Sequence, residues 1–187
     1  MEPAIIIFIA LLLVPMFWFI GNYNGLVRLR NHCRESWSGI DTELKRRHDL
    51  IPNLVSTVKA YAKHERAVFD SVTEARAAAA QPHRSPGDQA RDENRLVVSL
   101  GGLFAVAEGY PELKSDRNFL HLQQELVNTE DRIQSARRFH NANVRDLGNR
   151  IEMFPTSIVA SMFDFKPWEF FEIDSLAERL APQVDAG

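Results

Sequence analysis

The chain has 187 residues, of which 45% are hydrophobic and 25% are charged. This size and balance suit one domain with a packed core and argue against wholesale disorder. A net charge of -3 argues against a dedicated nucleic-acid binder, because such proteins carry a strongly basic balance. The single cysteine, Cys33, has no partner for an internal disulfide and favours a reducing compartment. Its place among core-spaced residues favours inert packing over a reactive thiol.

The first predicted element is an apolar helix at the N-terminus. Residues 4–20 read AIIIFIALLLVPMFWFI, without a charge, and as a helix they span about 25 Å, at the short end for crossing a bilayer. Trp18 and Tyr23 lie near its end, where aromatic rings favour the headgroup layer. A cleaved signal peptide is the alternative, but it would open with Lys or Arg and end with small residues, and this segment does neither. We therefore predict a membrane anchor over residues 1–21.

The charges that flank the anchor predict its orientation. No Lys or Arg precedes it, whereas Arg28, Arg30 and Arg34 follow it closely. Basic residues stay on the cytoplasmic side of a membrane. We expect a single-pass protein of the bacterial cytoplasmic (inner) membrane, with its N-terminus outside and the rest in the cytoplasm. Arg28 and Arg30, about 12 to 15 Å beyond the anchor, are the predicted neighbours of lipid headgroups.

Beyond the anchor, apolar residues recur every three or four positions, which predicts helices and excludes strands. The first run extends from Leu26 to Leu44, and only Gly21 separates it from the anchor. Pro52 is expected to mark a corner between two helices, with Asp49 as a cap, because proline inside a helix costs about 3 kcal/mol. The segment QPHRSPGDQ, residues 81–89, is predicted to be a loop.

Two long helices are predicted after this loop. The first carries apolar residues over 96–107, and Ser115 or Asp116 is expected to cap the second. Apolar residues of the second, over 119–154, recur about every 3.5 positions, the spacing of a coiled-coil-like seam. Pro155 is expected to end it.

These elements together predict an all-α protein: an N-terminal transmembrane helix followed by an antiparallel four-helix bundle with long, coiled-coil-like helices. The predicted divisions are an anchor at 1–21, a bundle at 22–172 and a C-terminal tail at 173–187. An aromatic segment near the end contains Trp168, Phe170 and Phe171. It either docks on the bundle or stays exposed for a partner, and docking is favoured because exposed aromatic patches are hazardous.

The most recognisable blocks of the sequence are WSGIDTELKRRHDLIPNLVSTVKAYAKHE, YPELKSDRNFLHLQQELVNTEDRIQSARRFHNANV and RIEMFPTSIVASMF. With shorter blocks they cover nearly all of 21–172 and resemble the LemA family of bacterial membrane-anchored proteins. The resemblance implies a four-helix bundle behind a transmembrane helix, with no established enzymatic activity and no accepted catalytic residues. It also implies partnership with other membrane proteins, such as membrane metalloproteases encoded nearby in some bacteria. The sequence departs from the family at Leu147–Gly148, where relatives often carry Tyr–Asn, and this glycine weakens the helix by about 1 kcal/mol.

No catalytic residue, cofactor or metal site is predicted. The sequence lacks HExxH, CxxC and GxSxG motifs, and its paired glycines lack the Lys-Ser/Thr of a phosphate loop. A metal site would require Glu130–Asp131 to meet His64–Glu65 across the bundle, without the Glu-x-x-His pairs that di-metal bundles use. Ion pairs and solvated faces explain these residues better, and we expect the protein not to be an enzyme.

The one basic cluster, KRRH at residues 45–48, has two interpretations. Its charges either pair with nearby carboxylates such as Asp41 and Glu43, for about 0.3–0.5 kcal/mol each, or they form a partner surface. The cluster lies about 37 Å beyond the anchor, well outside the roughly 8 Å over which anionic lipid attracts it. The candidate partner-binding residues are Lys45, Arg46, Arg47, Trp168, Phe170 and Phe171.

Three functions remain to be weighed. The first is a membrane-tethered adaptor or scaffold that binds other membrane proteins, held in the bilayer by its N-terminal helix. The second is a self-assembling, membrane-organising protein whose heptad-like helix drives homo-oligomerisation. The third, for which the sequence offers least, is a hydrolase or metal-dependent enzyme.

Overall fold

The computed structural model describes residues 3–173, except for the side chains of residues 4–6. Every regular element in that range is an α-helix, as the apolar spacing predicts. The helices are α1 (Pro3–Tyr61), α2 (Arg66–Ala79), α3 (Pro86–Glu108), α4 (Pro111–Lys114), α5 (Arg117–Glu152) and α6 (Thr156–Met162). The predicted tail at 173–187 lies outside the described residues except for Ile173, which is buried.

Helix α1 runs without a break through Pro52, so the predicted corner at this residue is wrong. A proline at this position leaves the carbonyl of His48 without its helical donor, because that bond runs from residue i to residue i−4. Arg76 of α2 supplies the missing donor: its Nε donates to the carbonyl oxygen of His48 at 2.7 Å. A side chain from a neighbouring helix thus satisfies the acceptor that the proline leaves open, and α1 continues to Tyr61.

The boundaries of α3 and α5 lie close to the predicted ones, whereas the break at residues 62–65, between α1 and α2, was not predicted. The loop expected at 81–89 is shorter, because α3 already begins at Pro86, where a missing N–H costs little. Ser85 caps this helix by accepting a bond from a backbone N–H of the first turn at 3.2 Å. Asp116 caps α5 as expected and accepts two backbone N–H groups at 2.8 and 2.9 Å. Helix α5 continues past Gly148 and ends at residue 152, three residues before the expected stop.

The chain forms two compact units, each assembled from residues that are distant in sequence. The first unit contains the described residues of 3–37 and 140–168. Its core comes from α1, α5, α6 and the segment after α6, and consists of Leu26, Cys33, Val144, Leu147, Val159, Ala160 and Phe165. Burial, with a smaller contribution from the charge of Asp146, raises the pKa of the Cys33 thiol to about 11. At neutral pH this thiol is protonated and acts as a small apolar side chain.

The second unit contains the described residues of 38–139 and 169–173. Four helices supply most of its core: the later turns of α1, helices α2 and α3, and the early turns of α5. The largest fully buried aliphatic side chains of this core cluster are Ile51, Leu54, Leu96, Leu100, Leu103, Leu113 and Leu126.

The N-terminal part of α1 is long and apolar enough to cross a membrane. Its large side chains from Ile7 to Phe17 are all exposed, so this stretch is not the buried core helix of a soluble protein. The predicted anchor boundary after residue 21 falls inside the continuous α1, with no change of secondary structure there.

Candidate functional site

A buried ion cluster lies in the second unit and consists of Arg47, His48, Glu93 and Glu130. Arg47 binds both carboxylates: its Nη1 donates to Oε1 of Glu130 at 2.6 Å, and its Nη2 donates to Oε2 of Glu93. The other oxygen of Glu93 lies 2.9 Å from Nε2 of His48. Arg47 and Glu93 are completely inaccessible to solvent, so the cluster is part of the interior.

Helical spacing explains why these charges point inward. Arg47 lies between Leu44 and Ile51 on the apolar stripe of α1, at a position that an aliphatic residue would normally occupy. Glu93 and Glu130 hold equivalent places on the stripes of α3 and α5. A buried charge is tolerated only with a partner of opposite sign. Helices α3 and α5 supply one carboxylate each, and α1 supplies both Arg47 and His48.

The pKa shifts in the cluster follow from its geometry. Burial alone would raise the pKa of Glu93, but the hydrogen bond to His48 and the charge of Arg47 outweigh it, so this pKa lies below its usual value. Burial likewise favours a lower pKa for Arg47, yet the charges of Glu130 and Glu93 leave its pKa raised. At neutral pH the guanidinium is therefore a cation held between two carboxylates.

Two further hydrogen bonds connect the cluster to α2. Gln89 of α3 donates through Nε2 to Glu93 at 2.7 Å and reaches the carbonyl oxygen of Ala79, at the end of α2, at 3.0 Å. Arg76 of α2 binds the His48 carbonyl as described above. The network thus joins α1, α2, α3 and α5. Both oxygens of Glu93 are bonded within it, whereas Nε of Arg47 and Oε2 of Glu130 are buried without a hydrogen-bond partner among the described residues. Such an arrangement can fix which residues face each other, whereas a substrate would find no open group on Glu93.

The metal site considered from the sequence does not form among the described residues. Glu130 is paired with Arg47, and His64 is exposed to solvent. Within residues 3–173, no group of three or more His, Cys, Asp or Glu side chains is placed to hold a metal ion.

A second buried polar pair, which the sequence analysis did not single out, lies in the first unit. Oγ of Ser36 lies 3.0 Å from Nδ1 of His140 and also donates to the carbonyl of Cys33. The ring of Trp37 packs 5.5 Å from the His140 ring. Both members of the pair are buried, so its serine is closed to substrates, and we assign the pair to packing.

The predicted basic surface is smaller than the sequence suggested. Lys45 is exposed and pairs with Asp41 at 2.6 Å, which is the local pairing expected for it. Arg46 is exposed and lies 3.3 Å from Glu125. Arg47 needs correction: it lies in the ion cluster with no accessible surface and cannot contact a partner. Its position on the apolar stripe is the signal that could have revealed this.

The three aromatic residues of the late segment have different environments. Trp168 is half-buried in the first unit, with its ring centroid 6.2 Å from that of His140. Phe171 is fully buried in the second unit and is also removed from the partner-binding set. Phe170 is 46% exposed and borders a shallow groove of about 460 Å³ that Arg91 also lines.

The two predicted headgroup neighbours are both at the surface of the first unit. Arg28 and Arg30 are exposed, and the guanidinium carbon of Arg30 lies 5.0 Å from the centroid of the Phe165 ring. This is a cation–π distance, so Arg30 is positioned by the protein while its charge still faces solvent.

Comparison with known proteins places this arrangement in a family. The LemA family model matches residues 36–185, which include the whole ion cluster. The chain belongs to the LemA family. This chain is 25% identical to magnetosome protein MamQ 2 of Paramagnetospirillum magneticum, with 90% of this chain and 69% of that protein covered. It is also 25% identical to magnetosome protein MamQ of Magnetospirillum gryphiswaldense, covering 80% and 64%, and 23% identical to protein LemA of Metamycoplasma hominis, covering 92% and 78%.

Proposed function

We propose that this LemA-family chain is a single-pass, membrane-anchored helical scaffold that binds other membrane-associated proteins. One observation carries the proposal: the exposed apolar stretch of α1 continues, without a break, into turns that contribute to both compact units. A helix of this kind connects a bilayer segment directly to folded protein, because no loop lies between the apolar stretch and the turns that follow it.

The proposal includes a topology and an architecture. Arg28, Arg30 and Arg34 favour a cytoplasmic location for everything after the anchor, with the N-terminus outside the bacterial inner membrane. The four helical segments around the core of the second unit are consistent with an antiparallel four-helix bundle with coiled-coil-like packing.

The pairing of the buried charged side chains with one another supports a scaffold function over an enzymatic one. Arg47 and Glu93 are inaccessible and bonded to each other, whereas acid–base or nucleophilic catalysis needs a group that reaches a substrate. The relatives described above are named for the magnetosome and for the family itself, and neither name specifies a reaction. Membrane proteases are one class of partner that the proposal allows.

Self-assembly through α5 is the less supported alternative. It was suggested by the heptad-like apolar residues of this helix. Leu126 and Ile133, in the second unit, and Val144 and Leu147, in the first, are all buried. These apolar side chains of α5, which would have packed against a second copy, thus pack inside the protein.

Affinity capture from detergent-solubilised membranes tests the proposal. The full chain should recover a reproducible set of membrane proteins, and this set should shrink when the exposed candidates are changed together by Lys45→Glu, Arg46→Glu and Phe170→Ala. Arg138→Glu, a charge reversal at an exposed residue of α5 outside the candidate set, is the matched control and should leave the set intact. Recovery of no specific protein, or equal recovery with both variants, would contradict the proposal.

A further inference from the structure

The first unit exposes an apolar corner where α5 gives way to α6. We call the five large exposed side chains there the α5–α6 corner: Met153 (57% exposed), Phe154 (80%), Ile158 (51%), Met162 (65%) and Phe163 (47%). A group of neighbouring exposed apolar residues marks an interaction surface more often than a single exposed one does.

The backbone of the α5–α6 corner is well bonded. The hydroxyl of the buried Thr156 lies 2.7 Å from the carbonyl oxygens of both Arg150 and Met153. The N–H of Ser157 also donates to the Met153 carbonyl, at 2.8 Å. The exposed side chains are therefore carried by an ordered turn, and their exposure does not come from a frayed helix end.

Ring contacts place the α5–α6 corner beside the end of the apolar stretch of α1, within the same unit. The ring centroid of Phe163 lies 4.6 Å from that of Tyr23 and 5.9 Å from that of Phe19. Tyr23 and Phe19 lie on either side of the point where the apolar stretch ends. The end of α6 is therefore at the same height along α1 as the predicted exit from the bilayer.

A groove beside the α5–α6 corner confirms this height. Met153 and Phe154 line a groove of about 440 Å³ together with Trp18 and Gly21 of α1. The headgroup layer on each side of the hydrocarbon is about 5–7 Å thick, which corresponds to roughly three to five helical residues beyond Ile20. At this height, large apolar side chains meet the boundary between headgroups and acyl chains, where aromatic rings are favoured.

The charges of the first unit complement an anionic lipid surface. Arg150 lines the same groove, and Arg28 is exposed. Glu152 is the opposing charge in the last turn of α5, while Asp164 is already paired with Lys166 at 3.3 Å. Basic residues near a membrane surface contribute about 1 kcal/mol each toward anionic lipids.

We infer that the α5–α6 corner is a second membrane attachment, which inserts Met153, Phe154 and Met162 into the bilayer surface while Arg150 binds the phosphate of an anionic phospholipid. The inference rests on the proposed anchoring of α1. A single helix that crosses the bilayer sets the direction of its own axis, but the first unit can still rotate about that axis. With the corner inserted as well, the first unit has one defined orientation against the membrane.

Depth-dependent quenching tests this attachment in the full chain. Single cysteines are introduced in a Cys33→Ala background, labelled with an environment-sensitive fluorophore, and reconstituted into phosphatidylcholine–phosphatidylglycerol vesicles that contain lipids with a quencher near the headgroup. Phe154→Cys and Met162→Cys report on the corner. Phe17→Cys, at the end of the apolar stretch, is the lipid reference, and Glu35→Cys, exposed on α1 about 21 Å beyond Gly21, is the water reference.

The outcomes separate the corner from the anchor. We expect labels at 154 and 162 to be blue-shifted and quenched to an extent similar to the label at 17, while the label at 35 is not quenched. Quenching at 17 but not at 154 and 162 overturns the inference and leaves the anchor intact. A blue shift at 154 without quenching by lipid indicates protein contact, such as a second copy, and also overturns it. Absence of quenching at 17 overturns both the anchor and the inference.

The contribution of Arg150 is tested separately. Arg150→Glu should reduce quenching of the label at 154 in vesicles with phosphatidylglycerol and have little effect in pure phosphatidylcholine. Arg145→Glu makes the same charge change at another exposed position of α5 and should have the smaller effect. Equal effects of the two variants would overturn the assignment of Arg150 to a phosphate.

Discussion

The two compact units use different stretches of α1 and α5 and stabilise them by different chemistry. The first unit has an apolar and aromatic core whose one buried polar pair is Ser36 with His140, as far as the described residues show. The second unit adds to its apolar core an ion cluster with one charged residue on each of three helical stripes.

This difference shows what each kind of core can specify. Apolar stripes favour close packing but tolerate a shift of one helix along another. A buried cation with two carboxylate partners does not, because any shift leaves a charge unpaired at a cost of about 3–5 kcal/mol. We therefore regard the ion cluster as the element that fixes the register of α1, α3 and α5 in the second unit.

The largest effect is expected when the cation of the cluster is removed. Arg47→Met should lower the free energy of unfolding of the second unit by about 3–5 kcal/mol, because two buried carboxylates lose their partner. Arg46→Met, at the exposed neighbouring position, should change it by about 1 kcal/mol or less. Urea unfolding in mild detergent, followed by circular dichroism, measures both. Similar losses for the two variants would show that the buried cluster does not stabilise the unit.

Acid should weaken the second unit through the same cluster. Since the pKa of Glu93 is lower in the folded chain than the ordinary glutamate value of 4.5, the unfolded chain binds more protons as the pH falls through this region. The stability contributed by Glu93 is thus present above about pH 4.5 and decreases as the pH falls toward the folded-state pKa. Unfolding measured between pH 7 and pH 3 should show this loss in the wild type, and Glu93→Gln should show less of it. A Glu93→Gln variant with the same pH profile would argue against this source.

An intermediate effect is expected for the donor that compensates for Pro52. Arg76→Met should cost about 1.5–3 kcal/mol, the range for a hydrogen bond to a charged group. In a Pro52→Ala background, a backbone N–H again becomes available to the His48 carbonyl, and the same substitution should cost less. A double-mutant cycle by urea unfolding measures the coupling. Additive effects would mean that Arg76 does not substitute for the missing helical bond.

The smallest effect is expected in the first unit. Ser36→Ala removes the hydrogen bond to His140 and should cost about 0.5–1.5 kcal/mol. Thermal unfolding of the two variants Ser36→Ala and Arg47→Met, measured side by side, compares the two units directly. A loss for Ser36→Ala as large as that for Arg47→Met would remove the distinction drawn between their cores.

The sequence predicts the helical elements of this protein well because their signals are local. The Asp116 cap and the pairing of Lys45 with Asp41 both depend on residues within four positions of each other, and the structure contains both. The residues around Pro52 could not predict that α1 continues through it, because the helix there depends on Arg76, which is distant in sequence. Proline usually breaks a helix, but here a tertiary hydrogen bond from Arg76 replaces the helical bond that Pro52 removes.

The candidate site was harder to predict, and the reason is visible in the spacing. The charge of residues 45–48 suggests a solvated patch. Helical spacing suggests otherwise for Arg47, which follows Leu44 by three residues and precedes Ile51 by four and therefore lies on the buried stripe. The partners Glu93 and Glu130 occupy similar positions on their own helices. A charge on an apolar stripe is thus a signal for a buried pair, although the sequence alone does not show which opposite charge it meets.

Replacing the ionic members of the cluster together, with Arg47→Met, Glu93→Leu and Glu130→Met in the full chain, shows whether the paired charges set the register of α1, α3 and α5. Because an apolar set of similar volume can replace a buried ion cluster, we expect this variant to keep the helicity of the wild type. Without the paired charges the apolar stripes can shift along one another, so urea unfolding followed by circular dichroism should be less cooperative than in the wild type. Unfolding as cooperative as that of the wild type would show that the ion cluster does not set the register.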